Sequence, residues 1–122
     1  MMAEKPAAVK LGLKPGERLV VLRPVAGLAD ILGALPAGAV MADSGEVVLM
    51  FSHDRAELLA GLAAAKAAGG RLWLAYLKAV PGRKPDLNRD SLRELVAGHG
   101  LETVSQVALN ADWSALRVKV VA

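Results

Sequence analysis

Apolar residues along this chain gather in two patterns: short unbroken runs, and stretches spaced at the helical period. The runs are LVVL within Arg18–Arg23, VVLMF at Val47–Phe51 and LWLAYL at Leu72–Leu77. Runs of this length without polar alternation predict strands buried on both faces. Between the second and third, Leu58, Leu62 and Ala65 fall on one helical stripe. Asp54 and Glu57 have capping-box spacing at its start, Lys66 suits the dipole near its end, and Gly69 or Gly70 supplies the left-handed stop. Glu46–Lys78 therefore reads as strand, helix, strand, with the roughly thirty residues that two parallel strands and a crossover helix require.

The flanks extend this unit. Pro15-Gly16 suits a type II turn before the first strand. Pro24 opens a helix of roughly two to three turns through Leu28, Ile31, Leu32 and Leu35, and Pro36 ends it. Ala39–Met41 predicts a short edge strand or an extended segment. Only Ala42–Gly45 separates it from Glu46, and at about 3.3 Å per residue so short a link barely spans a sheet. Asp90 or Ser91 caps a further helix with the stripe Leu92, Leu95 and Val96; Ser91 and Glu94 have capping-box spacing, and Gly98 and Gly100 stop it. Leu101–Leu109 and Leu116–Val121 predict two strands around a turn at Asn110–Ser114. In the last, Leu116, Val118 and Val120 alternate with Arg117 and Lys119, as one solvated face requires. The expected fold is α/β: a small, mostly parallel sheet flanked by helices and closed by an antiparallel C-terminal hairpin. It occupies residues 11–122 as one domain, behind a flexible tail at residues 1–10.

Composition fits that plan. A chain of 122 residues suits a single core. With 54% hydrophobic but 3% aromatic residues, a compact sheet under small-residue helices is favoured over an aromatic-rich binding surface. The absence of cysteine excludes disulfides, thiolate metal sites and a cysteine nucleophile. A net charge of +3 is below that of a dedicated nucleic-acid binder. The longest uncharged run, Ile31–Ala42, is interrupted by Pro36 and is too short for a bilayer. The N-terminus lacks the apolar core of a signal peptide, so a cytoplasmic location and no membrane partner are expected.

Few residues carry chemistry. His53 and His99 are far apart, without metal-ligand spacing, and no metal is expected. Ser52-His53-Asp54 are adjacent, but triad members meet from distant segments, and no G-x-S-x-G elbow occurs. Neither G-x-G-x-x-G nor a P-loop is present, and the turn after the first strand offers Gly27 alone beside Pro24, which lacks a backbone donor. Ser52 and His53 do follow the VVLMF strand at the edge where open α/β sheets place their ligands. Lys78, Arg83, Lys84 and Arg89 form a basic connection able to meet an anion or nucleic acid. Asp86 and Asp90 partly neutralise it and no aromatic residue is there for base stacking, so a solvated loop is the favoured reading. Trp73 and Tyr76 fall on opposite faces of one strand, and Trp113 in the hairpin; all three read as packing anchors.

The order of these motifs resembles class I S-adenosylmethionine-dependent methyltransferases, of Rossmann type. LKPGERLVVL is similar to the approach to that fold's first strand. EVVLMF, the following helix and AAGGRLWLAY resemble its fourth strand, fourth helix and fifth strand, and HGLETVSQVALNADWSALRVKVV its closing hairpin. A group of short bacterial proteins is similar too, sharing KLGLKPG, GGRLW and a W-S-x-L-R ending, here Trp113, Ser114, Leu116 and Arg117. The resemblance implies a cofactor, S-adenosylmethionine, held by a Gly-rich turn and by an acidic residue after the second strand. Here the turn keeps only Gly27, Asp43 is the candidate ribose partner, and the second and third strand region is largely missing. With the strand-end residues, Gly27, Asp43, Ser52 and His53 form the candidate cofactor site. The expectation is a small binding or interaction domain of methyltransferase-like fold without a complete cofactor site, meeting a small anionic ligand or a protein. The alternatives are a minimal S-adenosylmethionine-dependent methyltransferase, or a weak binder of an anion or nucleic acid through the basic 78–89 loop. Val-rich terminal strands also allow a homodimer.

Overall fold

The computed structural model describes residues 6–121. The elements in chain order are α1 (Ala7–Lys10), β1 (Arg18–Leu22), α2 (Leu28–Leu32), β2 (Val40–Met41), β3 (Val47–Ser52), α3 (Arg55–Ala68), β4 (Arg71–Leu77), α4 (Arg89–Ala97), β5 (Leu101–Ala108) and β6 (Trp113–Val120). They build one sheet in the order β2-β1-β3-β4-β6-β5. The pairs β2/β1, β1/β3 and β3/β4 are parallel, and β4/β6 and β6/β5 are antiparallel. The mixed α/β sheet with its closing hairpin is the expected architecture.

Every residue of β3 is buried. Val47, Leu49 and Phe51 face a layer containing α1, α2 and the lead-in Leu11 and Leu13. Val48 and Met50 face Leu58 and Leu62 of α3, with Leu92 and Val96 of α4 in the same cluster. The helix α3 begins where its sequence signal places it: the Asp54 carboxylate accepts the Glu57 N–H at 2.8 Å. It ends at Gly69, whose φ of 77° is costly for any residue with a Cβ.

Three elements depart from expectation. Within the tail predicted for residues 1–10, Ala7–Lys10 form a helical turn with Ala7 and Ala8 buried; residues 1–5 lie outside the described residues. The seal behind it is specific, because the Trp73 indole N–H donates to the Leu11 carbonyl at 2.9 Å. The helix α2 stops at Gly33 (φ 70°), before Pro36, and is one short segment rather than two to three turns. The helix α4 starts earlier than either expected cap: Asn88 accepts the Ser91 N–H at 2.9 Å while Ser91 Oγ accepts the Asn88 N–H at 2.9 Å. Ser91 is thus the inner partner of the box, not its cap.

The short link after β2 has a geometric solution. Met41 and Val47 both stand level with Leu19 of β1, on opposite sides of it. Since β2 is only two residues long, it ends at the same edge of the sheet at which β3 starts. The chain merely crosses the N-terminal end of β1, where the Glu46 N–H donates to the Arg18 carbonyl at 3.1 Å. Gly45 is required in that crossing, because a Cβ there would overlap the Arg18 carbonyl and its side chain. Gly70 meets the same limit, with a Cβ placed 2.8 Å from the Glu46 carbonyl oxygen. Gly45→Ala is therefore expected to destabilise the fold by about 1–3 kcal/mol, the scale of overpacking against rigid backbone. Urea unfolding should show a lower midpoint with an unchanged slope; an unchanged midpoint would contradict the crossing.

Candidate functional site

The C-terminal ends of β1, β3 and β4 meet at one edge of the sheet, and the first residue of β6 joins them. Beyond β1 the chain turns through Arg23, whose φ of 53° is left-handed for a residue with a side chain. Beyond β3 it passes through His53 into α3. Glu57, on the first turn of α3, reaches back to accept both the His53 backbone N–H at 2.7 Å and a bond with His53 Nδ1 at 2.9 Å. Arg23 Nη2 stands 3.8 Å from the other Glu57 oxygen. A cleft of about 250 Å³ is lined by Arg23, Pro24, His53 and Glu57.

One carboxylate thus holds an imidazole and a guanidinium on either side. The His53 backbone N–H foremost, then its ring and the Arg23 charge, hold the Glu57 carboxyl below its ordinary value of 4.5. The edge is closed on its other flank by Trp113. Its indole meets Phe51 edge-on at 5.0 Å and the His53 ring edge-on at 5.3 Å. Behind His53, Ser52 is fully buried, and its Oγ has no hydrogen-bond partner among the described residues. Ser52 stands level with Tyr76, and Tyr76 with Ser114, so three hydroxyl residues cross the sheet in one row. Gln106 Nε2 donates to the Tyr76 hydroxyl at 2.9 Å, and burial raises the Tyr76 pKa.

The four candidate cofactor residues are not brought together. Ser52 and His53 share the edge, one buried and one exposed. Gly27 caps α2 with φ 77°, and a Cβ added there would meet open space. Asp43 lies in the crossing at the opposite, N-terminal edge, between Ala42, which donates to the Leu19 carbonyl, and Glu46. The resemblance calls for a Gly-rich turn after the first strand and an acidic residue beside it to hold S-adenosylmethionine. The turn here presents Pro24 and a left-handed arginine instead, so these residues do not fit it.

The basic connection is divided as well. Lys78 Nζ donates to the Asn110 carbonyl at 2.6 Å. Arg83 donates to the Lys78 carbonyl at 3.0 Å and stands 3.4 Å from Asp112, so both cations fasten the 109–112 turn. Arg89 opens α4 and lies 3.9 Å from Asp90. Lys84 makes no ion pair among the described residues. Asp86 pins the loop elsewhere, accepting the Arg55 N–H at 2.8 Å. Arg23, Glu57 and Trp113 complete the edge and were not legible as site residues. The only signal was the four-residue spacing of His53 and Glu57; the capping box read at Asp54–Glu57 forms by half, since Asp54 accepts the Glu57 N–H but the Glu57 carboxylate accepts from His53 instead of Asp54.

A depressed carboxyl pKa contributes stability that is present above the unfolded value and lost as pH falls through the folded one. Unfolding free energy is therefore expected to drop in acid as Glu57 takes its proton, below its ordinary 4.5. Glu57→Gln should reduce that slope in the same window. Parallel slopes for the two proteins in denaturant titrations from neutral to acid pH would refute the assigned role.

Among solved structures, the chain is similar to the B. subtilis tRNA methyltransferase TrmK, with a TM-score of 0.50 at 10% identity over 96% of this chain and 67% of that one. It is similar to the same degree, TM-score 0.50, to a protein of the NADB-Rossmann superfamily from Streptococcus agalactiae, at 14% identity over 98% of this chain and 70% of that one. No protein-family model and no curated protein sequence matches the chain. At these identities the likeness is one of fold: the chain has a Rossmann-like, methyltransferase-like architecture.

Proposed function

We propose that this chain is a small binding module built on a methyltransferase-like sheet, with its ligand end at the Arg23–His53–Glu57 cleft. The observation that carries this reading is the closure of the cofactor end by the chain's own side chains. Arg23 and His53 are tied to Glu57, and Trp113 packs against His53 and Phe51. The remaining cleft, about 250 Å³, is below the roughly 300–1,000 Å³ of pockets for drug-sized ligands. It suits a small polar or anionic group meeting the Arg23 guanidinium and the His53 ring.

The second reading is a minimal methyltransferase, favoured by the likeness to a tRNA methyltransferase. Isothermal titration with S-adenosylmethionine separates the two. The binding-module reading expects no saturable heat at micromolar ligand, for wild type and for Trp113→Ala alike. Micromolar affinity, with methyl transfer to any acceptor, would establish the enzyme instead.

A further inference from the structure

The outer strand β5 borders a second feature, remote from the cleft. It ends the sheet, so among the described residues its outer edge has no strand partner. Edges of this kind template the addition of another strand and are commonly blunted by Lys, Pro or a bulge. The β5 sequence, LETVSQVA, has neither Lys nor Pro. Its one irregularity falls between Thr103 and Ser105 and leaves Ser105–Ala108 in regular register. Val104, at the irregularity, is 51% exposed.

Between α4 and β5 runs a groove made of two hollows, of about 600 Å³ and about 260 Å³, which share Arg93 and Thr103; Leu116 of β6 closes the smaller one on its inner side. Its helical wall is Arg89, Arg93 and Ala97, spaced four residues apart and hence one stripe of α4. Its other wall is β5. The groove is polar and cationic at one end, where Arg89 and Arg93 face Ser105 and Gln106. At the other end Ala97, Leu101 and Val121 make it apolar, with Glu102 close by. Both guanidiniums are about two-thirds exposed, and the pair shares one distant carboxylate, Asp90, at 3.9 and 4.0 Å.

We propose that this groove takes an extended peptide, added to β5 as a seventh strand, with an acidic residue at Arg89–Arg93 and an apolar residue at Ala97–Leu101. Main-chain bonds to the free edge supply affinity, and the two ends of the groove supply direction. A second copy of the chain is the disfavoured occupant. Pairing β5 with β5 about a two-fold axis would set two α4 helices side by side and bring two Arg89–Arg93 stripes together. A separate peptide brings the opposite charge.

The test selects binders to the full chain from a phage-displayed library of random heptapeptides, then measures a synthetic copy of the enriched sequence by fluorescence anisotropy and amide NMR. Enriched sequences should carry Asp or Glu towards one end and alternating apolar residues. Amide shifts should cluster at residues 89–106. Arg93→Glu, checked as folded by its spectrum, should weaken binding about tenfold or more, as loss of a charge-assisted contact does. A copy of the peptide with alternate backbone N-methylation should lose binding, because strand addition needs its N–H groups. The proposal falls if no acidic sequence is enriched, if the shifts map to the Arg23–His53 cleft, or if the N-methylated peptide binds equally. It falls too if the peptide-free chain doubles in mass at micromolar concentration with β5 at the contact.

Discussion

The six residues of β3 are all buried, and covering both faces of that strand is the constraint that orders the rest of the molecule. A strand buried on two sides needs a layer on each, and fully burying each large apolar side chain contributes about 1.5–3 kcal/mol. On one face α3 supplies a complete layer, because Leu58, Leu62 and Ala65 recur at the helical period. On the other, the two helices are one short segment each. The deficit is filled by the lead-in loop: Leu11 and Leu13 lie in the core, and the Trp73 indole locks the Leu11 carbonyl in place. Trp113 and Phe51 finish that layer at the ligand end.

The same asymmetry shapes the functional edge. A full doubly wound sheet leaves a crevice at the ends of its strands, because long helices on both faces hold the loops apart. Here the β1–α2 turn is short and β2 extends only two residues, so little chain is available to build a crevice wall. Trp113 from the closing hairpin packs over the ends of the strands, and Arg23 folds onto Glu57. On the other face Ser52, level with Tyr76, is buried with no hydrogen-bond partner for its hydroxyl among the described residues. It is a polar position of the strand end sealed beneath neighbouring elements.

The outer side of the hairpin has the opposite history. The strand β6 is covered on one face by Leu92 and Val96 of α4 through Leu116 and Val118. Beyond it β5 pairs along only one of its edges among the described residues. The stripe Arg89–Arg93–Ala97 faces β5 across the groove, with Leu116 of β6 at one end of it. Two surfaces of different character therefore coexist: a small polar cleft at the strand ends, and a long cationic-to-apolar groove along an open edge.

What the sequence determined was set by local signals whose energetics are short-range. The runs at Leu19–Leu22, Val47–Phe51 and Leu72–Leu77, the Asp54–Glu57 cap and the Gly69 stop specify strand, helix and strand without reference to distant residues. The alternation at Leu116–Val120 marked the closing strand but not its burial: Trp113 to Leu116 are buried on both faces, and Val120, expected inward, is 67% exposed. Tertiary packing decided the rest. Ala7 and Ala8 have no periodicity to reveal a helix, and are ordered by burial against the core. Asp43 and Gly27 read as neighbours of one site, but β2 ends after two residues, which leaves Asp43 at the far edge of the sheet. Lys78 and Arg83 read as part of a solvated basic loop with anion binding as the alternative, yet they bond the hairpin turn, a partner separated from them by the whole of α4 and β5. His53 was visible as a strand-end residue; its pairing with Glu57, the approach of Arg23 and the covering indole of Trp113 arise only when β1, β3 and β6 are placed side by side.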